Sequence, residues 1–169
     1  QLEYPCLRIG GKKLLPLLGK KRVFDRDIEA LIGKDPVDIP KTFQLASYVI
    51  NSGNTITSTA VLKLIKDDKT IERVSRGEGP IDASFKAIEK IVGIDMELED
   101  YQLRSVTEGE DALGDAFVKI GTATGKYSGR GVSTDVIEAS IAAYINAVNK
   151  MLFEAKKAGD EARTPKASN

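Results

Sequence analysis

Along residues 43–152 the pattern of hydrophobic positions changes twice from strand-like to helix-like. In the first half, β-branched and aromatic residues cluster between turn-forming residues and predict strands at 44–50, 55–65 and 70–75. A helix follows, because apolar residues from Ile81 to Val92 recur at the spacing of one helix face. Pro80 suits the first position of this helix, and Gly93 suits its end.

The second half follows the same order of elements. Strands are predicted at 98–106, 112–122 and 127–130, the last of them short. The apolar stripe of a longer helix then runs from Ile137 to Leu152. We expect Ser133 to be the N-cap of this helix, with Asp135 in its positive first turn.

Two blocks of sequence indicate that the halves are copies of one unit. Val61-Leu62-Lys63-Leu64 returns as Phe117-Val118-Lys119-Ile120, and Ile81-Asp82-Ala83-Ser84 returns as Ile137-Glu138-Ala139-Ser140, at one offset (117 − 61 = 56 and 137 − 81 = 56). Such a repeat predicts one supersecondary unit built twice. We therefore predict an α+β fold of two pseudo-symmetric βββα units packed together, with a helical linker segment at the N-terminus. The copies are expected to differ at the helix starts, where the second carries two extra residues.

The chain is predicted to contain three regions. Residues 1–41 are interpreted as a leader and the remnant of a linker subdomain, with a helix at about 22–32. Residues 42–153 are interpreted as the duplicated domain, whose repeats lie at about 43–93 and 97–152. Residues 154–169 are polar and are expected to form a disordered tail.

Composition excludes several classes of function. Lys and Arg number 25 against 25 Asp and Glu, so no basic field points to nucleic acid. The sequence has neither an apolar run of membrane-spanning length nor a recognisable signal peptide, so we expect a cytoplasmic location. Histidine is absent and Cys6 is the single cysteine. Histidine-dependent catalysis and His or Cys metal sites are therefore excluded, and we expect no cofactor in this chain.

Glycine-bearing segments precede both predicted helices, at 77–80 and 129–134. Free backbone N–H groups at a helix start favour an anion such as a carboxylate or phosphate. Glycine can also serve a tight turn without any ligand, and 77–80 lacks the spacing of a phosphate-binding loop. Asp115 lies in a predicted strand between Leu113 and Phe117, where it could receive a ligand ammonium group or pair with a lysine.

Two motifs resemble a known family. Gly77-Glu78-Gly79-Pro80-Ile81-Asp82-Ala83 and the stretch 129–149, with Val132-Ser133-Thr134-Asp135 and Asn146-Ala147-Val148-Asn149, resemble the C-terminal regulatory domain of 2-isopropylmalate synthase. The resemblance extends over roughly residues 43–152. The predicted helix at 23–31 also resembles the linker subdomain that precedes this domain, whereas residues 1–21 do not match it.

The resemblance implies an enzyme that condenses acetyl-CoA with 2-oxoisovalerate in leucine biosynthesis. Its catalytic site and divalent metal would belong to a barrel in the same polypeptide, which this chain is too short to contain. The resemblance further implies a regulatory domain that forms homodimers, binds L-leucine near the dimer interface and mediates feedback inhibition.

Carried over by motif position, the resemblance implies a leucine site around the helix starts. The N–H groups around Gly77, Gly79 and Ile81 would receive the ligand carboxylate. Other residues implied to line the pocket are Pro80, Tyr101, Ser105, Val106, Ala112, Val132 and Ser133. Asp115 is our own candidate for binding the ammonium group.

Two alternatives remain open at this point. The isoleucine-sensing regulatory domain of citramalate synthase is similar, and discrimination between leucine and isoleucine is worth only a few kcal/mol. A dimerisation module without a ligand would share the same repeat and core. Binding measurements with leucine, isoleucine and valine distinguish the three interpretations.

Overall fold

The computed structural model describes residues 39–105 and 113–163, together with two short strands near the N-terminus. The chain divides into two compact units, Gln1–Asp38 and Ile39–Asn169. In the first unit, β1 (Arg8–Ile9) pairs antiparallel with β2 (Lys12–Lys13). The predicted helix at about 22–32 lies outside the described residues, as do Val106, Ala112 and residues 164–169.

The second unit contains two antiparallel three-stranded sheets, each followed by a helix, so the α+β prediction of a doubled βββα unit is confirmed. The first sheet has the order β3 (Gln44–Asn51), β4 (Ser58–Lys66), β5 (Lys69–Gly77). The second sheet has the order β6 (Glu97–Ser105), β7 (Gly114–Thr122), β8 (Gly125–Ser133). The helices are α1 (Pro80–Val92) and α2 (Val136–Arg163).

Buried and half-buried side chains alternate along the two central strands. This alternation places the core between each sheet and its helix. On β4 and β7, small or apolar side chains that are fully buried alternate with half-buried neighbours: Ala60, Leu62 and Leu64 on β4, and Ala116, Val118 and Ile120 on β7. Successive strand residues point to opposite faces, so the buried set forms one face of each sheet. Helix α1 covers this face of the first sheet, and α2 covers that of the second.

Strand register makes the repeats equivalent position by position. The pairing of β3 with β4 shifts between Leu45 and Ser47, and the pairing of β6 with β7 shifts between Leu98 and Asp100. These irregularities are equivalent, because Leu45 pairs with Leu64, and Leu98 pairs with Ile120. A β-bulge at the same place in both halves supports a duplicated origin for the fold.

The expected insertion at the helix starts is wrong. Gly77 ends β5 and Ser133 ends β8 (133 − 77 = 56), and the helices begin at Pro80 and Val136 (136 − 80 = 56). The offset is 53 in the first strand of each repeat, because Tyr101 pairs with Val118 as Tyr48 pairs with Leu62. The extra residues therefore lie in the connection between β6 and β7.

The longer helix corrects a second prediction. Helix α2 continues to Arg163, so the expectation of a disordered tail is wrong for residues 154–163. Alanine and lysine, which favour helix, dominate residues 155–158, and one glycine at Gly159 is too weak a signal to end a helix already anchored by buried residues.

Side chains from both repeats meet where the helices touch. The rings of Phe85 on α1 and Tyr144 on α2 have centroids 4.5 Å apart, and the Tyr144 hydroxyl donates to Glu89 Oε1 at 2.9 Å. Tyr144 is fully buried, and this burial, followed by the charge of Glu89, raises its pKa. The two βββα units thus share one hydrophobic core.

Candidate functional site

Helix α1 begins without a side-chain cap. Its N-cap is Gly79, an extended residue with φ −152° and ψ 175°, and no side chain of residues 39–105 or 113–163 bonds the N–H groups of the first turn. Pro80 at the first helical position has no N–H to donate. A Cβ atom added at Gly79 would meet no atom of the described part of the chain within 4 Å, so the space beside this helix start is open among those residues.

Gly77 has a different role, because the helix passes directly against it. A Cβ atom at Gly77 would collide with the backbone nitrogen of Ala83 and lie 2.6 Å from Asp82 Oδ2. That carboxylate accepts from the Glu78 N–H at 2.9 Å and from Lys86 Nζ at 2.8 Å. Burial opposes ionisation of Asp82, but the bonds from Lys86 and the Glu78 N–H outweigh it and lower the pKa. Gly77 is thus required by packing.

Helix α2 begins with a carboxylate already in place. Asp135 Oδ1 accepts from the N–H groups of Ile137 at 2.8 Å and Glu138 at 3.4 Å. The other oxygen, Oδ2, accepts from the Tyr48 hydroxyl at 2.6 Å. These contacts lower the pKa of Asp135, with the Tyr48 bond as the largest cause, and the same bond raises the pKa of Tyr48 to about 12.

Asp135 is therefore the N-cap, and the prediction of Ser133 for this role is wrong. The Ser133 hydroxyl accepts from the Asp135 N–H at 3.2 Å and donates to Glu138 Oε2 at 2.7 Å. A serine two residues before the cap supports the loop that leads into the helix. The carbonyl of Asp135 accepts the first intrahelical bond, from the Ala139 N–H at 2.9 Å, which fixes it as the cap.

The glycines of the segment 129–134 do not form a turn. Gly129 and Gly131 lie within β8, beneath α2. A Cβ atom at Gly129 would collide with the backbone of Ala143 and Ala147, and one at Gly131 with the Ala139 carbonyl. Glycine is needed here because helix and strand backbones approach closely, so the prediction of a glycine-bearing turn in this segment is wrong.

Asp115 is engaged by a neighbouring cation. Its two carboxylate oxygens accept from Arg130 Nε at 2.6 Å and Nη2 at 2.7 Å, a bidentate pair. Asp115 alternates with the buried Gly114 and Ala116, so it lies on the face of the second sheet that α2 does not cover. The proposed contact with a ligand ammonium group would have to displace Arg130, which argues against that role.

Tyr101 lies between the two helices. Its ring meets Phe85 of α1 edge to face, with centroids 5.8 Å apart. Its hydroxyl shares a hydrogen bond of 2.8 Å with Ser140 Oγ of α2, and Ser140 also donates to the Val136 carbonyl at 2.6 Å. A change at either helix therefore reaches Tyr101 directly.

Three of the remaining predicted site residues, Ser105, Val132 and Ser133, lie at the end of the second sheet. Ser105, Gly114 and Ser133 form one cross-strand row there. Val132 is 52% exposed and pairs with Asp115 on the face away from α2. Ile81 is partly buried against the core at the start of α1. The structure thus brings Gly77, Gly79, Pro80 and Ile81 together at one helix start, while Val132 faces elsewhere.

An open groove of about 630 Å³ lies beside Gly77. It is lined by Asn54, Thr55, Ile56, Thr57, Arg76, Gly77, Glu78 and Lys86. Two cations therefore face this side of the α1 start. Within the ranges 39–105 and 113–163, no cluster of three His, Cys, Asp or Glu side chains is arranged to hold a metal, and no helix there is long and apolar enough to cross a membrane.

Comparison with known proteins places this geometry in a family. The profile of the LeuA allosteric (dimerisation) domain matches residues 22–152. The chain belongs to this family. It is 45% identical to 2-isopropylmalate synthase of Ruminiclostridium cellulolyticum over 135 residues, which are 80% of this chain and 26% of that protein. It is also 45% identical to the synthase of Carboxydothermus hydrogenoformans over 143 residues, 84% of this chain and 28% of that protein. The chain spans about a quarter of the length of these relatives.

The strand register of this LeuA allosteric domain reveals a residue that the sequence did not. Tyr48 holds Asp135, yet nothing in the hydrophobic pattern of β3 distinguishes it from a core tyrosine. Its equivalence to Tyr101 is visible only in the pairing with β4, because the offset there is 53 and not the 56 of the matching blocks. An alignment that allowed three extra residues after the first strand could have found it.

Proposed function

We propose that this chain is the leucine-binding regulatory domain of a 2-isopropylmalate synthase. Two relatives that match most of its length carry that name, and the matching family is described as an allosteric and dimerisation domain. On this proposal the chain binds L-leucine, pairs with a second copy and inhibits a catalytic barrel elsewhere in the same polypeptide. The condensation of acetyl-CoA with 2-oxoisovalerate, and the divalent metal, would belong to that barrel.

The difference between the two helix starts is the observation that carries the leucine proposal. Asp135 and Gly79 are equivalent (135 − 79 = 56), as are Tyr48 and Tyr101 (101 − 48 = 53). At α2 the N–H groups of the first turn bind a carboxylate of the protein. At α1 the equivalent residue has no side chain, and the space beside it is open. A ligand carboxylate would complete α1 as Asp135 completes α2.

A leucine-like ligand has further support from the surroundings of this helix start. The two N–H groups left by the first turn of α1, those of Ile81 and Asp82, are suited to a carboxylate because the helix dipole adds positive potential there. Ile81, partly buried, supplies apolar surface for a branched side chain. We assign no residue to the ammonium group, since Asp115 is held by Arg130.

Titration calorimetry on this chain tests the proposal with L-leucine, L-isoleucine, L-valine and L-leucinamide. Leucinamide keeps the side chain and the amine but lacks the carboxylate. We expect leucine to bind more tightly than isoleucine and valine, and leucinamide to bind at least about 10-fold more weakly, because its neutral carboxamide can accept hydrogen bonds but lacks the charge that strengthens them.

Other outcomes distinguish the alternatives. Preferential binding of isoleucine would favour a citramalate synthase domain over the leucine sensor. No heat and no thermal shift with any of the amino acids at millimolar concentration, on a sample shown by light scattering to be dimeric, would favour a ligand-free dimerisation module. Equal affinity for leucine and leucinamide would refute the carboxylate site at α1.

A further inference from the structure

One buried side chain ties the last helix to the start of the first sheet. Asn149 on α2 accepts from the Phe43 N–H through Oδ1 at 2.8 Å and donates from Nδ2 to the Phe43 carbonyl at 2.9 Å. Both residues are 3% exposed and lie 106 positions apart in the sequence. The amide thus binds both backbone groups of Phe43, as a neighbouring strand would.

The first repeat has no counterpart of this pair. Asn149 is equivalent to Gly93 (149 − 93 = 56), where α1 ends in a left-handed residue with φ 70°. The chain must turn there toward β6, whereas α2 continues past the same position. Asn149 can therefore make a long-range contact for which the first repeat, with Gly93 at the equivalent place, has no side chain.

Phe43 is buried in the core of the second unit, and its backbone is bonded to Asn149. The residues before it are half-buried or exposed, and Thr42 bonds the Pro40 carbonyl in a local turn at 2.9 Å. The Phe43 ring is buried, and Lys66 Nζ lies 5.1 Å from its centroid. Phe43 is thus the first residue of the second unit that enters the core, and its backbone is held by α2.

We propose that the Asn149–Phe43 contact transmits a shift of α2 to the chain that leads into the domain at residues 39–42. Asn149 is a positioning residue in this proposal, because it touches no ligand. The proposal rests on the proposed function for its ligand, since leucine at the start of α1 would act on α2 through the contacts of Phe85, Tyr101 and Tyr144. A ligand can shift an equilibrium only if it binds the two arrangements with different affinity.

Amide hydrogen exchange on this chain tests the contact first, without any ligand. We expect the Phe43 amide to exchange slowly in the unmodified chain and at least about tenfold faster in Asn149→Ala, because its acceptor is removed. Asn146→Ala is the matched control: Asn146 lies one turn earlier on α2 and donates to the Arg130 carbonyl within its own repeat. If Asn149→Ala does not fold, Asn149→Leu replaces it, since leucine has a similar volume and removes both the acceptor for the Phe43 N–H and the donor to the Phe43 carbonyl.

The second measurement repeats the exchange experiment with saturating leucine. We expect leucine to change exchange at residues 41–44 by at least about threefold in the unmodified chain and in Asn146→Ala, and to lose this effect in the Asn149 variant. Leucine affinity by calorimetry should stay within about threefold in all three proteins. A retained leucine effect in the Asn149 variant, or none in the unmodified chain despite binding, would overturn the transmission proposal alone. Failure of the unmodified chain to bind leucine would overturn the proposed function and with it this use of the contact.

Discussion

Gly79→Asp would give the first repeat the carboxylate that the second already has. The substitution fits the backbone, because φ −152° and ψ 175° are extended values open to any residue, and an added Cβ meets nothing within 4 Å. A second carboxylate in the first turn is also tolerated, as Glu138 beside Asp135 demonstrates in the equivalent place (138 − 82 = 56). We therefore expect the variant to fold.

The expected changes in stability and in leucine affinity follow from the role of an N-cap. Aspartate is better than glycine there by a few tenths of a kcal/mol, and its charge gains about 0.3–1 kcal/mol from the helix dipole. Unfolding should then occur about 2–5 °C higher. A ligand carboxylate would lose two hydrogen bonds worth about 1.5–3 kcal/mol each and would meet a like charge. Leucine affinity should accordingly fall by at least about 100-fold.

The assay combines calorimetry with leucine and thermal unfolding of the same samples. Gly79→Ala is the matched control, because its methyl group fits the open space but carries no charge. It should keep leucine affinity within about threefold and be less stable by up to about 1 kcal/mol, since alanine is a poor N-cap. Unchanged leucine binding in Gly79→Asp, in a folded protein, would refute the reasoning that places the ligand carboxylate at α1.

Three further predictions, one of them with a control substitution, test the contacts described above. Tyr48→Phe should cost about 1 kcal/mol at neutral pH. Because the pKa of Tyr48 is raised to about 12 from 10.0, the stabilisation that Tyr48 gives should persist below pH 10 and vanish between pH 10 and 12. Chemical denaturation should show this fall in the free energy of unfolding in the unmodified chain and not in the variant. Gly131→Ala should destabilise by more than about 3 kcal/mol through collision with α2, whereas Gly159→Ala, in open space on α2, should stabilise by up to about 1 kcal/mol; equal effects would contradict the close approach. Asp115→Asn should leave leucine affinity within about twofold, and a loss above tenfold would restore Asp115 as a ligand partner.

The fold was predictable where a single physical requirement acts over many residues. Burial on one face of β4 and β7 imposes an alternation that the sequence displays, and the α1 boundaries carry their own proline and glycine signals. The helix α2 was harder to delimit, because Lys156 and its neighbours favour helix without contributing to the apolar stripe. Its end therefore depends on propensity, which hydrophobic periodicity does not measure.

The candidate site was predictable only in part, because glycine has several causes that look alike in a sequence. Gly79 leaves a helix start open, Gly77 lets a helix pass, and Gly129 and Gly131 admit the backbone of α2. These causes differ in which atoms a Cβ would meet at each position, and those atoms are brought there by the tertiary fold. The pairing of Asp115 with Arg130 depends likewise on cross-strand register, which a one-residue slip would abolish.

The glycine contact between β8 and α2 has a consequence for how the domain opens. Backbone packed directly on backbone leaves no side chains to rearrange, so the second sheet and α2 should separate only in the least frequent fluctuations of the native state. Residues 73 and 75, equivalent to 129 and 131, are Arg73 and Ser75, so the first sheet lacks this glycine contact with its helix. Sub-global unfolding should begin in the first repeat, which also carries the open helix start, while the second sheet and α2 stay packed together.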